Sequence, residues 1–194
     1  MAAPKEPLVS VIMNCFNGEE FLREAIDSVY AQTYRNWEII FWDNASTDRS
    51  AEIAQSYDEK LIYYRSKKTE ILGEARANAT KEAKGKYIAF LDSDDIWLED
   101  KLEKQISMFH ESQDQVGFVY CRTKVFFDDE TKEEYVYKAS EMLPEGYIFT
   151  ELAKQNFVVF SSAMVDRDKF YLCGGFPKHF LNSLDYYVFL RLAR

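Results

Sequence analysis

Three aspartates within four residues, Asp92, Asp94 and Asp95 around Ser93, follow the apolar run 87–91. Carboxylates this close repel one another unless a cation sits among them, and their hard oxygen donors suit Mg2+ or Mn2+. A cation held by one or two carboxylates keeps coordination positions open, and phosphate oxygens of a nucleotide are their usual occupants. The competing reading is that residues 92–95 cap a following helix, since negative charge at a helix N-terminus is favourable by about 0.3–1 kcal/mol. Arg76 has the planar fork that suits a phosphate, against the plainer role of a solvated helix arginine. Phe16 either stacks on a base or fills the core. The chain has no GxGxxG after its first strand and no GxxxxGK[ST], which disfavours a dinucleotide site and a P-loop.

The elements that must position these residues follow from apolar periodicity. Strands are predicted at 8–13, 37–42, 61–64 and 87–91. Helices are predicted from Phe21 onward (Phe21, Leu22, Ala25, Ile26, Val29), after the cap Ser46-Thr47-Asp48, and over 73–84 with Gly85 as its stop. Short strands apolar on both faces, alternating with helices, give an α/β fold: a mostly parallel central sheet with helices on both faces. The second half departs from this alternation and reads as a smaller mixed region. It has a helix at about 99–111, and segments 116–127 and 134–137 flank an acidic turn at 128–132. A short helix at 149–155, a strand at 158–165, a turn at Gly174-Gly175 and a helix from Ser183 complete it. In an open parallel sheet ligands bind outside the carboxyl ends of the strands. Those ends read Asn14-Cys15-Phe16-Asn17, Asp43-Asn44-Ala45-Ser46-Thr47-Asp48 and Asp92-Ser93-Asp94-Asp95, so neighbouring strand ends would line one acidic cleft.

Composition narrows the possibilities. The 194 residues, 47% hydrophobic and 16% aromatic, suit one domain with one sizeable core. A net charge of -9 argues against nucleic acid as a partner. The longest apolar runs, such as 118–121 and 157–160, fall far short of the roughly 18 residues a membrane span needs, and residues 1–6 lack the features of a secretory signal. The three cysteines show no CxxC spacing and read as buried thiols in a reducing cytosol. The last helix, 184–194, reaches the chain end without a stop signal, from which a native continuation is expected.

The runs 9–17 (VSVIMNCFN), 43–48 (DNASTD), 75–78 (ARAN) and 87–95 (YIAFLDSDD), with Gly174-Gly175-Phe176 and 185–191 (DYYVFLR), resemble the family 2 glycosyltransferases. The match covers nearly the whole chain in the right order. The resemblance implies a GT-A-like fold, with 1–98 as the nucleotide-sugar-binding half of a single domain and 99–194 as the acceptor-side half. Asp92-Ser93-Asp94 is similar to the family's DxD motif, which implies Asp94 as the direct metal ligand and Asp92 at the ribose or the metal's water shell. Asn14, Phe16, Asp43, Asn44, Arg76, Asp92 and Ser93 would form the donor site. Within it Phe16 would lie against the base, Asp43 and Asn44 at its edge, and Arg76 near the diphosphate. Asp185, six positions before Arg191, resembles the catalytic base, although 182–185 also reads as a helix start with a capping acid. Phe16→Ala and Asp43→Ala are each expected to weaken nucleotide binding without unfolding the chain.

The family departs from this chain at two places. Asn44 and Ala45 stand where many members carry an acid and a glycine, and Leu184 stands where many carry Glu. The implied activity is an inverting, Mn2+- or Mg2+-dependent transfer from a nucleotide sugar, a UDP-sugar by expectation, to a glycan or lipid-linked acceptor. The expected place is the cytoplasm, with peripheral association at the inner face of the membrane. Two further readings stand beside it. A sugar nucleotidyltransferase would carry a basic Gly-rich first loop, whereas residues 14–20 hold no basic side chain. A non-catalytic metal or nucleotide-binding module would need no base at Asp185.

Overall fold

The computed structural model describes residues 6–112, 116–127, 131–138 and 140–194. Strands and helices alternate at first: β1 (Val9–Cys15), α1 (Leu22–Tyr30), β2 (Trp37–Asp43), α2 (Ser50–Ala54), β3 (Leu61–Arg65), α3 (Leu72–Lys81) and β4 (Tyr87–Phe90). There follow α4 (Lys101–Glu111), β5 (Phe118–Val119), β6 (Lys124–Val125), β7 (Tyr135–Val136) and α5 (Phe149–Lys154). A 3₁₀ turn (Phe160–Ser162), β8 (Met164–Asp166), α6 (Arg167–Leu172) and α7 (Leu184–Leu192) complete the order. The main sheet has six strands in the order β3-β2-β1-β4-β8-β5. The first four are parallel, and β8 runs antiparallel between β4 and β5. From β1 the chain steps outward through β2 and β3, then crosses back to place β4 on the other side of β1. This reversal opens a crevice at the carboxyl ends of β1 and β4.

The pleat divides the strands between two cores. On one face Val9, Val11, Met13, Ile39, Phe41, Tyr87 and Ala89 pack with Leu22, Ile26 and Val29 of α1 and Leu102, Ile106 and Phe109 of α4. On the other, Ile12, Ile40, Ile88 and Phe90 pack with Ala77 and Ala79 of α3, Leu152 of α5, Phe170 of α6 and Val188 and Phe189 of α7. Strands buried on both faces have little polar surface, which is why they read as nearly continuous apolar runs, with Ser10 and Glu38 paired to each other where they interrupt them.

Helix α3 ends at Lys81, before the predicted 84, and Gly85 is not its stop. A Cβ on Gly85 would lie 2.6 Å from the Leu8 carbonyl and 2.6 Å from the Ser10 amide. Glycine is needed there so that the chain can pass against β1 into β4. The Gly85 and Lys84 amides both donate to the Ser10 hydroxyl, at 2.8 and 3.1 Å, and the Ser10 hydroxyl donates to buried Glu38 at 2.6 Å. Gly85→Ala is expected to cost about 1–3 kcal/mol through forced backbone movement. Chemical denaturation would show this as a lowered midpoint.

Other expectations need correction. Segment 158–165 is not one strand: only 164–166 pairs, and Phe160–Ser162 winds into a 3₁₀ turn whose backbone bonds run Ser162 to Val159 and Ala163 to Phe160. Helix α6 was unforeseen and starts at Asp166, whose carboxylate accepts from the Lys169 amide at 3.0 Å. Segment 116–127 divides between the two sheets. Its β5 part joins the main sheet and its β6 part pairs with β7; Asp128, Asp129 and Glu130 of the acidic turn lie outside the described residues. Of the cysteines only Cys15 is buried, while Cys121 is exposed and Cys173 partly so. Among the described residues, no helix is long and apolar enough to cross a membrane.

Candidate functional site

The acidic residues after β4 form a turn, closed by the Asp95 amide donating to the Asp92 carbonyl at 3.2 Å. The next helix begins only at Lys101, with Asp100 at its N-cap position, so residues 92–95 cap nothing. Asp94 is exposed and Asp92 half-buried. Arg76 projects from α3 onto this turn and donates from Nη2 to Asp92 Oδ1 at 3.1 Å. It is only 7% exposed, which sets aside the solvated-helix reading, and its guanidinium lies 3.7 Å over the Phe160 ring. Burial lowers the Arg76 pKa, and the charges of Asp92 and Asp185 work in the opposite direction. Asp92 is pushed up to about 6, first by burial; Arg76 opposes the rise, and the like charges of Asp95 and Asp94 add to it. Arg76 Nε and Asn14 Nδ2 are buried without hydrogen-bond partners, leaving two donors at this end of the sheet for a ligand's oxygens or for water.

Asp185 stands in the first turn of α7, half-buried. The N-cap residue Ser183 is left-handed (φ 55) and no side chain caps this helix start, so the capping alternative has no bond to support it. Gly73 brings this helix start to α3. Its amide donates to the Phe180 carbonyl at 3.2 Å, and a Cβ there would meet the Pro177 carbonyl at 2.4 Å. At the far end of α7, Arg191 donates to the Cys173 carbonyl and, at 3.1 Å, to the Tyr187 hydroxyl, tying the Gly174-Gly175 turn to the helix.

The loop after β1 lies against the acidic turn: a Cβ on Gly18 would meet Cys15 Sγ at 2.9 Å and Ser93 Oγ at 3.0 Å. Asn17 takes φ 54, and its side-chain oxygen accepts from the Thr47 amide at 2.8 Å, joining the β1 and β2 loops. Phe16 points outward, 53% exposed, and so does not fill the core. Asp43 is fully buried. Its Oδ1 accepts from the Ser46 amide at 2.7 Å, and its Oδ2 from the Tyr63 hydroxyl at 2.6 Å and Arg65 Nη1 at 2.7 Å. Asn44 donates to the Glu70 carbonyl at 2.9 Å and accepts from the Glu70 amide at 2.8 Å, fixing the approach to α3.

These environments separate two substitutions that the sequence alone treats alike. Phe16→Ala is expected to leave stability within about 0.5 kcal/mol, whereas Asp43→Ala leaves buried donors unpaired and costs about 1–3 kcal/mol. Paired melting and nucleotide-binding measurements check this; equal stability losses would contradict it.

Asn14, Phe16, Asp43, Asn44, Arg76, Asp92, Ser93 and Asp94 thus gather at the carboxyl ends of β1, β2 and β4, and Asp185 joins them from α7. Among the described residues, no three His, Cys, Asp or Glu side chains converge into a metal-holding group. Asp92 and Asp94 supply a partial set of hard oxygen donors, fitting a divalent cation that completes its shell with water or phosphate. An open cavity of about 670 Å³ lies to one side, lined by residues such as Asn17, Glu19, Asp48 and Arg49, and contains none of Arg76, Asp92, Asp94 or Asp185.

Sequence reasoning missed Arg65, Tyr63 and Ser161. Arg65 is the Cα partner of Asp43 across β2 and β3, so a basic residue ending one strand beside an acid ending its neighbour was the available signal. Ser161 donates to Asp95 Oδ2 and accepts from the Asp92 amide at 3.0 Å, hidden by the expectation of a strand.

Residues 10–172 match the sequence profile of Glycosyl transferase family 2. The UDP-Glc:alpha-D-GlcNAc-diphosphoundecaprenol beta-1,3-glucosyltransferase WfgD of Escherichia coli is 31% identical over 188 residues, which cover 96% of this chain and 70% of that enzyme. Two solved structures share the fold. The mannosyltransferase PcManGT of Pyrobaculum calidifontis, in complex with GDP-Man and Mn2+, superposes with TM-score 0.74 at 20% identity, over 96% of this chain and 52% of its own. TarS of S. aureus in complex with UDP-GlcNAc gives 0.73 at 19%, over 95% and 53%. The chain therefore spans about half the length of these solved proteins. With the crevice at the β1/β4 switch point and a profile match over most of its length, the chain has the GT-A fold and belongs to glycosyl transferase family 2.

Proposed function

We propose that the chain transfers a sugar, with inversion, from a nucleoside-diphosphate donor to a hydroxyl of a growing glycan. The observation that carries this reading is buried Arg76, whose charge is balanced by Asp92 of the acidic turn and Asp185 of α7. This arrangement joins the diphosphate end of the cleft to a carboxylate on its acceptor side. Asp94 and Asp92 would hold Mn2+ or Mg2+, which when bound supplies charge neutralisation of the leaving diphosphate. Phe16 offers an exposed ring to the base. Asp43, fully buried, and Asn44 fix the loops beneath the base through their bonds to Ser46, Tyr63, Arg65 and Glu70. The orphaned donors of Asn14 and Arg76 take diphosphate or sugar oxygens, and Ser93 holds the β1 loop against the donor. Asp185 removes the proton from the acceptor hydroxyl as it attacks the anomeric carbon, so a single displacement inverts the configuration.

The UDP-glucose donor and diphosphoundecaprenol-linked acceptor in the E. coli relative's name support a UDP-sugar and a lipid-linked glycan acceptor here. The test is a panel of UDP-, GDP- and dTDP-sugars with Mn2+, read as free nucleoside diphosphate with and without glycan acceptors. Metal-dependent release from one nucleotide class is expected. Binding without any turnover, with an acceptor present, would favour the non-catalytic module instead.

A further inference from the structure

We infer that Ser161 is a positioning residue for the acidic turn, holding it in the shape that presents Asp94 and the Asp92 oxygen not bonded to Arg76 to a cation. The inference rests on the metal-binding reading given above. Ser161 is 6% exposed and spans the turn from behind. Its hydroxyl accepts from the Asp92 amide at 3.0 Å and donates to Asp95 Oδ2, and its carbonyl accepts from Trp97 Nε1 at 2.8 Å. One residue therefore fixes the entry of the turn, its last acid and the segment leaving it. A hydroxyl is the smallest side-chain group able to accept from one partner and donate to another.

The bond to Asp95 has a chemical consequence. It commits one of the three clustered carboxylates to the protein, so the two that face the crevice are Asp92 and Asp94. The turn that carries Ser161 is itself fixed on both sides. Phe160 lies 3.7 Å beneath the Arg76 guanidinium, and the Ser162 carbonyl accepts from Gln105 Nε2 of α4 at 2.8 Å. Gln105 in turn accepts from Lys101 Nζ at 2.7 Å, and that ammonium lies 4.0 Å over the Trp97 ring. The 3₁₀ geometry is what points the Ser161 hydroxyl at Asp92 and Asp95 while Phe160 underlies Arg76. Phe160 and Ser161 thus reach the Arg76 guanidinium, the Asp92 backbone and the Asp95 carboxylate.

The experiment measures Mn2+ binding directly, by the electron paramagnetic resonance signal of free Mn2+ titrated in the presence of UDP, alongside thermal melting. Ser161→Ala is expected to weaken Mn2+ binding by about 10- to 100-fold per folded molecule, the range seen when groups orienting a metal's ligands are removed. Ser161→Thr, which keeps the hydroxyl, should recover most of the affinity. Ser161→Cys, similar in size but a weak donor, should fall between, and it serves as the test if the alanine variant does not fold. Wild-type Mn2+ affinity in folded Ser161→Ala or Ser161→Cys, with only a lowered melting temperature, would overturn the positioning role. A wild-type chain that binds UDP with no Mn2+ dependence would instead overturn the metal reading beneath it.

Discussion

Asp185→Asn is expected to lower glycosyl transfer by about 10²- to 10⁴-fold, the usual loss when a general base is removed, while donor affinity and melting temperature stay near wild type. The structure sharpens this expectation. Asp185 makes no capping bond at the start of α7, and Asn serves as well as Asp near a helix start, so helix capping gives little reason for a carboxylate there. What the carboxylate does have is buried Arg76, whose charge it helps to stabilise together with Asp92 of the turn after β4. Asparagine keeps the size and reach but cannot take a proton. Transfer rates for the variant and the wild type, with donor Kd measured in parallel, check the assignment. Near-normal transfer by Asp185→Asn would remove Asp185 from the chemistry.

Asp94→Ala is expected to reduce Mn2+-dependent affinity for a nucleoside diphosphate by more than about 100-fold, beyond the effect of losing a supporting group. Asp94 is exposed and, among the described residues, has no hydrogen-bond or ion-pair partner, so its removal should change stability by less than about 0.5 kcal/mol. Asp92→Asn would be harder to interpret, because it also takes the countercharge from buried Arg76. Calorimetric titration with UDP, in Mn2+ and then in excess chelator, separates the metal-dependent part. Undiminished affinity in Asp94→Ala would place the metal elsewhere or remove it.

The first half of this protein was legible because its signals are local. Apolar runs such as 9–13 and 37–41 are buried on both faces, and the polar residues that end them fall together once parallel strands are aligned. The position of Arg76 was legible only as a residue type. Its burial depends on Phe160, 84 positions further along the chain, which no window of sequence brings near it. Segment 158–165 misled because its apolar residues suit a buried strand and a 3₁₀ turn equally, and tertiary bonds from Trp97 and Gln105 decide between them. Helix α6 is six residues long, too short for its periodicity to stand out. The Asp43–Arg65 pair was hidden in strand register, which depends on how β2 and β3 align rather than on either segment.

The most direct test of the proposed site is a crystal structure with Mn2+ and UDP, with anomalous data collected for manganese. The expected result is a manganese peak within about 2–2.5 Å of an Asp94 oxygen, the diphosphate on Arg76, and the base on Phe16. Nucleotide held instead in the cavity lined by Asn17, Asp48 and Arg49, with no manganese near Asp92 or Asp94, would contradict it.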